Sequence, residues 1–89
     1  MSLTFKTKRM GMNAIMGNRY INPEKLRLDL GLSRRELGLR CQVSGSTIAG
    51  WEKRRRTPTV VQAWKLAGAL GIVQQNMGKL IAYWVMSED

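Results

Sequence analysis

Residues 33–52 read SRRELGLRCQVSGSTIAGWE, and the interpretation of this stretch decides the fold. Ser33 followed three residues later by Glu36 is a capping box, in which hydroxyl and carboxylate each satisfy a backbone N–H that the first helical turn leaves unpaired. Leu37 and Cys41, four residues apart, share one face of the helix that follows, which ends near Cys41. Ser44 caps a second helix, and Ile48, Trp51 and the aliphatic part of Thr47 give it an inward stripe to about Lys53. Only Gln42, Val43 and Ser44 separate the two, and Gly38 is a small residue where they must approach closely. The stretch reads as two short helices packed across a tight turn.

The flanks supply three more helices. Asn22 before Pro23 and Glu24 combines an N-cap acceptor, a proline suited to the first helical position and an acid at the positive helix end. This first helix runs to about Leu30 and stops at Gly31. Beyond Lys53, Arg54, Arg55 and Arg56, Thr57-Pro58-Thr59 announces a fourth helix with apolar positions Val60, Ala63, Leu66, Ala67 and Leu70, ending at Gly71. A fifth segment, from Val73 to about Met86, places Met77, Leu80, Ile81 and Trp84 on one face. Residues 1–20 show only weak alternation at Leu3, Phe5 and Thr7 and read as a flexible basic arm. The expected architecture is all-α: a five-helix bundle over residues 21–89, preceded by the arm.

Charge points to the partner. The 89 residues hold 15 Lys and Arg against 6 Asp and Glu, a formal charge of +9, which favours a polyanion. The excess is +4 over residues 1–20 and +5 over residues 21–56, and zero over residues 57–89. With no histidine and one cysteine, thiol–imidazole pairs and nitrogen-ligated metal sites are absent, so neither catalysis nor a metal, cofactor or small-molecule ligand is expected. Cys41 alone closes no internal disulfide and reads as a buried core residue, which suits the reducing cytoplasm. No run approaches the length of a membrane span, and the first residues lack a signal-type apolar region.

Two short helices across such a turn have the geometry of a helix-turn-helix. Gly31-Leu32-Ser33, Glu36-Leu37-Gly38, Val43-Ser44, Ser46-Thr47-Ile48, Trp51-Glu52, Pro58, Leu66-Ala67 and Ala69-Leu70-Gly71-Ile72 stand at the spacing of a known pattern. Over about residues 23–72 the chain resembles the phage repressor and Cro-like (lambda repressor-like) helix-turn-helix domains. The resemblance implies a double-stranded DNA-binding transcriptional regulator, a repressor, with residues 44–53 as a recognition helix in the major groove. It implies backbone phosphate contacts at Arg34, Ser44 and Thr47 and along the loop Lys53, Arg54, Arg55 and Arg56. Gly45, Ser46, Ala49 and Gly50 take the groove-facing positions, and Arg27 and Glu52 match a structural pair that joins the first helix to the end of the third.

Three departures from that pattern matter. Gln42 replaces the usual turn glycine and Arg54 the glycine after the third helix, so each is expected to hold a backbone angle unfavourable for a side chain by about 1 kcal/mol. The groove face carries no Arg, Lys, Asn or Gln, the usual readers of base edges. Ser46 offers one hydrogen bond and Ala49 a methyl contact, so affinity is expected from the phosphates and discrimination from elsewhere. Two sources are favoured: Lys6, Lys8 and Arg9 of the arm entering a minor groove, and a homodimer that demands two spaced half-sites.

The weakly charged fifth segment is the expected dimer joint, through Met77, Leu80, Ile81 and Trp84 with Tyr83 at the edge, against the alternative that this face closes the monomer's own core. For Lys53 to Arg56 the plain alternative is a solvated loop, and Trp51 and Trp64 read as packing residues rather than stacking platforms. An antitoxin or co-regulator module on the same scaffold, and a nonspecific nucleic-acid-binding protein, are the competing functions.

Overall fold

Local capping hydrogen bonds set where each helix begins. A computed structural model of the chain describes residues 19–85, within which helix α1 spans Pro23–Asp29, α2 Arg34–Cys41, α3 Gly45–Glu52, α4 Val60–Leu70 and α5 Met77–Val85. The Asn22 side-chain oxygen accepts from the backbone of Glu24 at 3.0 Å and Lys25 at 3.2 Å. Ser33 and Glu36 close their capping box, with Glu36 N–H on Ser33 Oγ at 3.0 Å and Ser33 N–H on the carboxylate at 2.8 Å. These bonds, the backbone one foremost, hold the Glu36 carboxyl below its ordinary pKa. Ser44 Oγ accepts from Thr47 N–H at 3.1 Å, and Thr59 forms a second capping box with Gln62.

Left-handed residues end the helices. Gly31 and Gly71 take φ of +72° and +75°, as their position after a helix requires. Gln42 and Arg54 adopt φ of 63° and 59° without that freedom. The turn between α2 and α3 is tight: Val43 N–H bonds Gly38 O at 2.9 Å, and an added Cβ on Gly38 would lie 2.6 Å from Val43 O.

The core collects Leu37 and Cys41 of α2, Ile48 and Trp51 of α3, Ala63, Leu66, Ala67 and Leu70 of α4, and Met77 and Leu80 of α5. Burial pushes the Cys41 thiol pKa up, opposed weakly by Lys65. Ile21 is also buried, and its N–H bonds Lys79 O at 2.9 Å, so the approach to α1 lies along α5.

Several sequence expectations require correction. The fifth segment does not start as an α-helix at Val73: Gln74–Asn76 form a 3-10 turn, because extended Val73 offers no side-chain cap, and α-helix begins only at Met77. Met86, its expected end, lies outside the described residues. Of the expected dimer face, Met77, Leu80 and Tyr83 are buried in the monomer and Trp84 is half-buried, because α5 lays this stripe against α3 and α4; Ile81 remains exposed. Val60 and Trp64 of α4, read as packing positions, are 69% and 48% exposed. Tyr20, assigned to the arm, packs its ring edge-on against Tyr83 at 5.6 Å. The remainder of the arm through residue 18, with Lys6, Lys8 and Arg9, lies outside the described residues.

Candidate nucleic-acid interface

Around α3, four elements arrange the charged side chains. Arg27 of α1 reaches Glu52 at the end of α3, with Nε 2.6 Å and Nη2 3.3 Å from the two carboxylate oxygens, and Nη1 donates to Leu32 O at 2.9 Å. Both residues are nearly sealed from solvent, at 6% and 4% exposure. A buried charge of either sign demands such a partner, since neither is stable alone in the interior. The pair fixes the C-terminal end of α3 relative to α1.

Arg34, at the start of α2, was expected on a phosphate. Its Nε donates to the same Glu52 carboxylate at 2.9 Å, and its Nη2 stands 3.5 Å from Glu24. Glu52 therefore carries two guanidinium partners, one buried and one half-exposed. Glu24, expected only as a helix-start acid, completes the network at 3.8 Å from Arg27. Its placement three residues before Arg27 is the signal that connects it.

The four loop bases separate into distinct roles. All four are exposed. Arg54, expected on the phosphates, also reaches α5: Nε donates to Tyr83 O at 2.8 Å, and the guanidinium lies over the Tyr83 ring at 3.9 Å and the Tyr20 ring at 5.5 Å. It donates to a carbonyl in the last turn of α5 and stacks on two aromatic faces. Burial raises the Tyr83 phenol pKa, the nearby Arg54 charge opposing the shift. The phenol donates to Glu52 O at 2.5 Å, and Trp84 Nε1 donates to Trp51 O at 2.9 Å, so α5 closes the C-terminal end of α3.

On the outer side of α3, the Ser44 hydroxyl lies 3.0 Å from those of Ser46 and Thr47. Ser46 is exposed, and Gly45, Thr47 and Ala49 are half-buried. Gly50, expected on the groove face, is buried: Arg56 lies across it and donates from Nη1 to Thr47 Oγ1 at 3.3 Å. Thr47 and Gly50 thus meet Arg56, Gly45 faces the start of α2 at Arg35, and Arg34 and Arg54 each have protein partners.

No helix among the described residues is long and apolar enough to cross a membrane, and among them no cluster of three His, Cys, Asp or Glu residues is placed to hold a metal ion. Residues 24–73 match the family described as helix-turn-helix. The uncharacterized HTH-type transcriptional regulator y4dJ of Sinorhizobium fredii is 33% identical over 63 residues, covering 71% of this chain and 78% of that protein. No solved structure matches the chain. The α2–turn–α3 geometry, its buried Arg27–Glu52 pair and the match over residues 24–73 agree, and the chain belongs to the helix-turn-helix family of the phage repressor and Cro-like type.

Proposed function

We propose that this protein is a double-stranded DNA-binding transcriptional regulator that represses by occupying an operator, with α3 in the major groove. The observation that carries this reading is the outer face of α3, small enough for close approach and bordered by the exposed bases Lys53, Arg55 and Arg56. The name of the similar Sinorhizobium fredii protein supports it. Lys53 and Arg55 act on phosphates and supply affinity that every duplex shares. Lys6, Lys8 and Arg9 join them as minor-groove contacts on the strength of their charge.

The regulator acts as a homodimer, through a different surface from the buried stripe of α5. Ile81 and Val85 of α5 border an apolar groove with Pro58, Val60 and Trp84, and Trp64 stands one turn beyond Val60 on α4. Val85 is 76% exposed. The groove lining carries no charge, which suits a second copy of the same apolar surface and not a polyanion. Two copies joined there would demand two half-sites at a fixed separation.

Gel shifts on fragments of the source genome at rising salt test the reading. The expected result is one or a few fragments retained against excess competitor, with affinity falling by a log–log slope of about 0.9 per phosphate contact. Equal retention of all fragments at every salt concentration would reduce the protein to a nonspecific binder. No retention at low salt would favour a protein-interaction module.

A further inference from the structure

We infer that Arg56 is the base-reading side chain that α3 itself lacks, donating from the loop to a guanine edge in the major groove. This rests on the reading that α3 enters that groove. The residue is held as a substitute for a side chain at position 50. A Cβ built on Gly50 would lie 3.1 Å from Arg56 Cδ, 3.2 Å from Cγ and 3.5 Å from Nε, so the arginine stem fills the volume that such a side chain would take. The loop backbone is fastened to the same residue: Arg55 N–H and Arg56 N–H both bond Gly50 O, at 2.9 and 3.2 Å.

The far end of the side chain is also placed. Arg56 Nη1 donates to Thr47 Oγ1 at 3.3 Å, one helical turn back along α3, and that hydroxyl is itself 3.0 Å from Ser44 Oγ. The guanidinium therefore lies along the outer face of α3 and not beyond the helix end. Among the described residues its Nε–Nη2 edge has no protein acceptor. A guanidinium edge is the donor pair that guanine O6 and N7 accept, and lysine cannot reproduce its geometry. Arg55, whose side chain has no such tether among the described residues, suits phosphate alone.

Selection of duplexes from a random-sequence library, followed by affinity measurement on the selected site and its single-base variants, tests the assignment. Wild-type protein should enrich a motif containing a G·C pair whose replacement weakens binding roughly ten- to hundredfold. Arg56→Ala and Arg56→Lys should both lose that penalty, with Arg56→Lys retaining binding to random duplex within about twofold. Gly50→Ala, which pushes the arginine aside, should reduce the penalty at the same pair, and Arg55→Ala should weaken all duplexes alike and leave it intact. Circular dichroism melts confirm that each variant is folded. If Arg56→Lys keeps the full motif, the inference is overturned while DNA binding stands. If the wild type enriches no sequence, both fall together.

Discussion

Glu52 is the residue on which the positioning of α3 depends. One carboxylate bonds Arg27, buried, and Arg34, half-exposed, with Glu24 3.8 and 3.5 Å from the two guanidiniums. Glu52→Ala leaves Arg27 without its buried partner, with only the half-exposed Glu24 at 3.8 Å, and should cost about 3–5 kcal/mol in urea unfolding, whereas Arg34→Ala should cost less than about 1 kcal/mol because Arg27 still balances the site. Equal costs would show that the two guanidiniums share the carboxylate evenly. The two left-handed side chains make a second contrast. At Gln42 the backbone sits at φ 63° and the side-chain amide only accepts an exposed bond from Lys65 at 2.6 Å. Gln42→Gly should therefore raise stability by about 0.5–1 kcal/mol, seen as a Tm increase of several degrees. Arg54→Gly relieves similar strain at φ 59° but removes the Tyr83 carbonyl bond and two ring contacts, so its Tm should stay level or fall.

At the scale of elements, glycines in helix interiors have opposite meanings. Gly38 brings α2 against the following turn, and any Cβ there strikes the Val43 carbonyl, so Gly38→Ala should destabilise by roughly 1–3 kcal/mol or more. Gly68 of α4 has nothing within 4 Å of a built Cβ. Gly68→Ala should therefore stabilise by about 0.5–1 kcal/mol through helix propensity alone, and chemical denaturation of the two variants tests the contrast. The caps of α1, α2, α3 and α4 were readable in the sequence because each bond spans two or three residues, as with Ser33 and Glu36. The 3-10 turn before α5 was not, since Val73 to Asn76 contain no capping hydroxyl and the apolar period simply continues past them.

For the whole molecule, the proposed two-fold joint moves to the exposed edge of the face that the periodicity first indicated, keeping Ile81 and Trp84, adding Val85 and leaving out the buried Met77, Leu80 and Tyr83. Ile81→Lys with Val85→Lys places charge in the exposed groove without touching the buried stripe. Sedimentation should show the wild type as a dimer and the double variant as a folded monomer with an unchanged melting curve. A double variant that still sediments as a dimer would exclude this groove as the joint. Trp84→Asp is a poorer probe, since its indole donates to Trp51 O and packs against the monomer's own core.

The sequence by itself determined the all-helical class, the helix-turn-helix at residues 33–52 and the starts of the first four helices, because these follow from hydrogen bonds and apolar spacing within one or two turns. The placement of Arg27 against Glu52 was reached only through the family pattern, since no local rule links positions 25 residues apart. Tertiary structure alone decided that Arg54 serves α5, that Arg34 leans on Glu52 and that Arg56 covers Gly50. It also sent Met77, Leu80 and Tyr83 inward. The physical reason is the same in each case. A helical period states which residues share a face, and a run of like charges states only that they repel, whereas the neighbour each one meets depends on how distant helices cross.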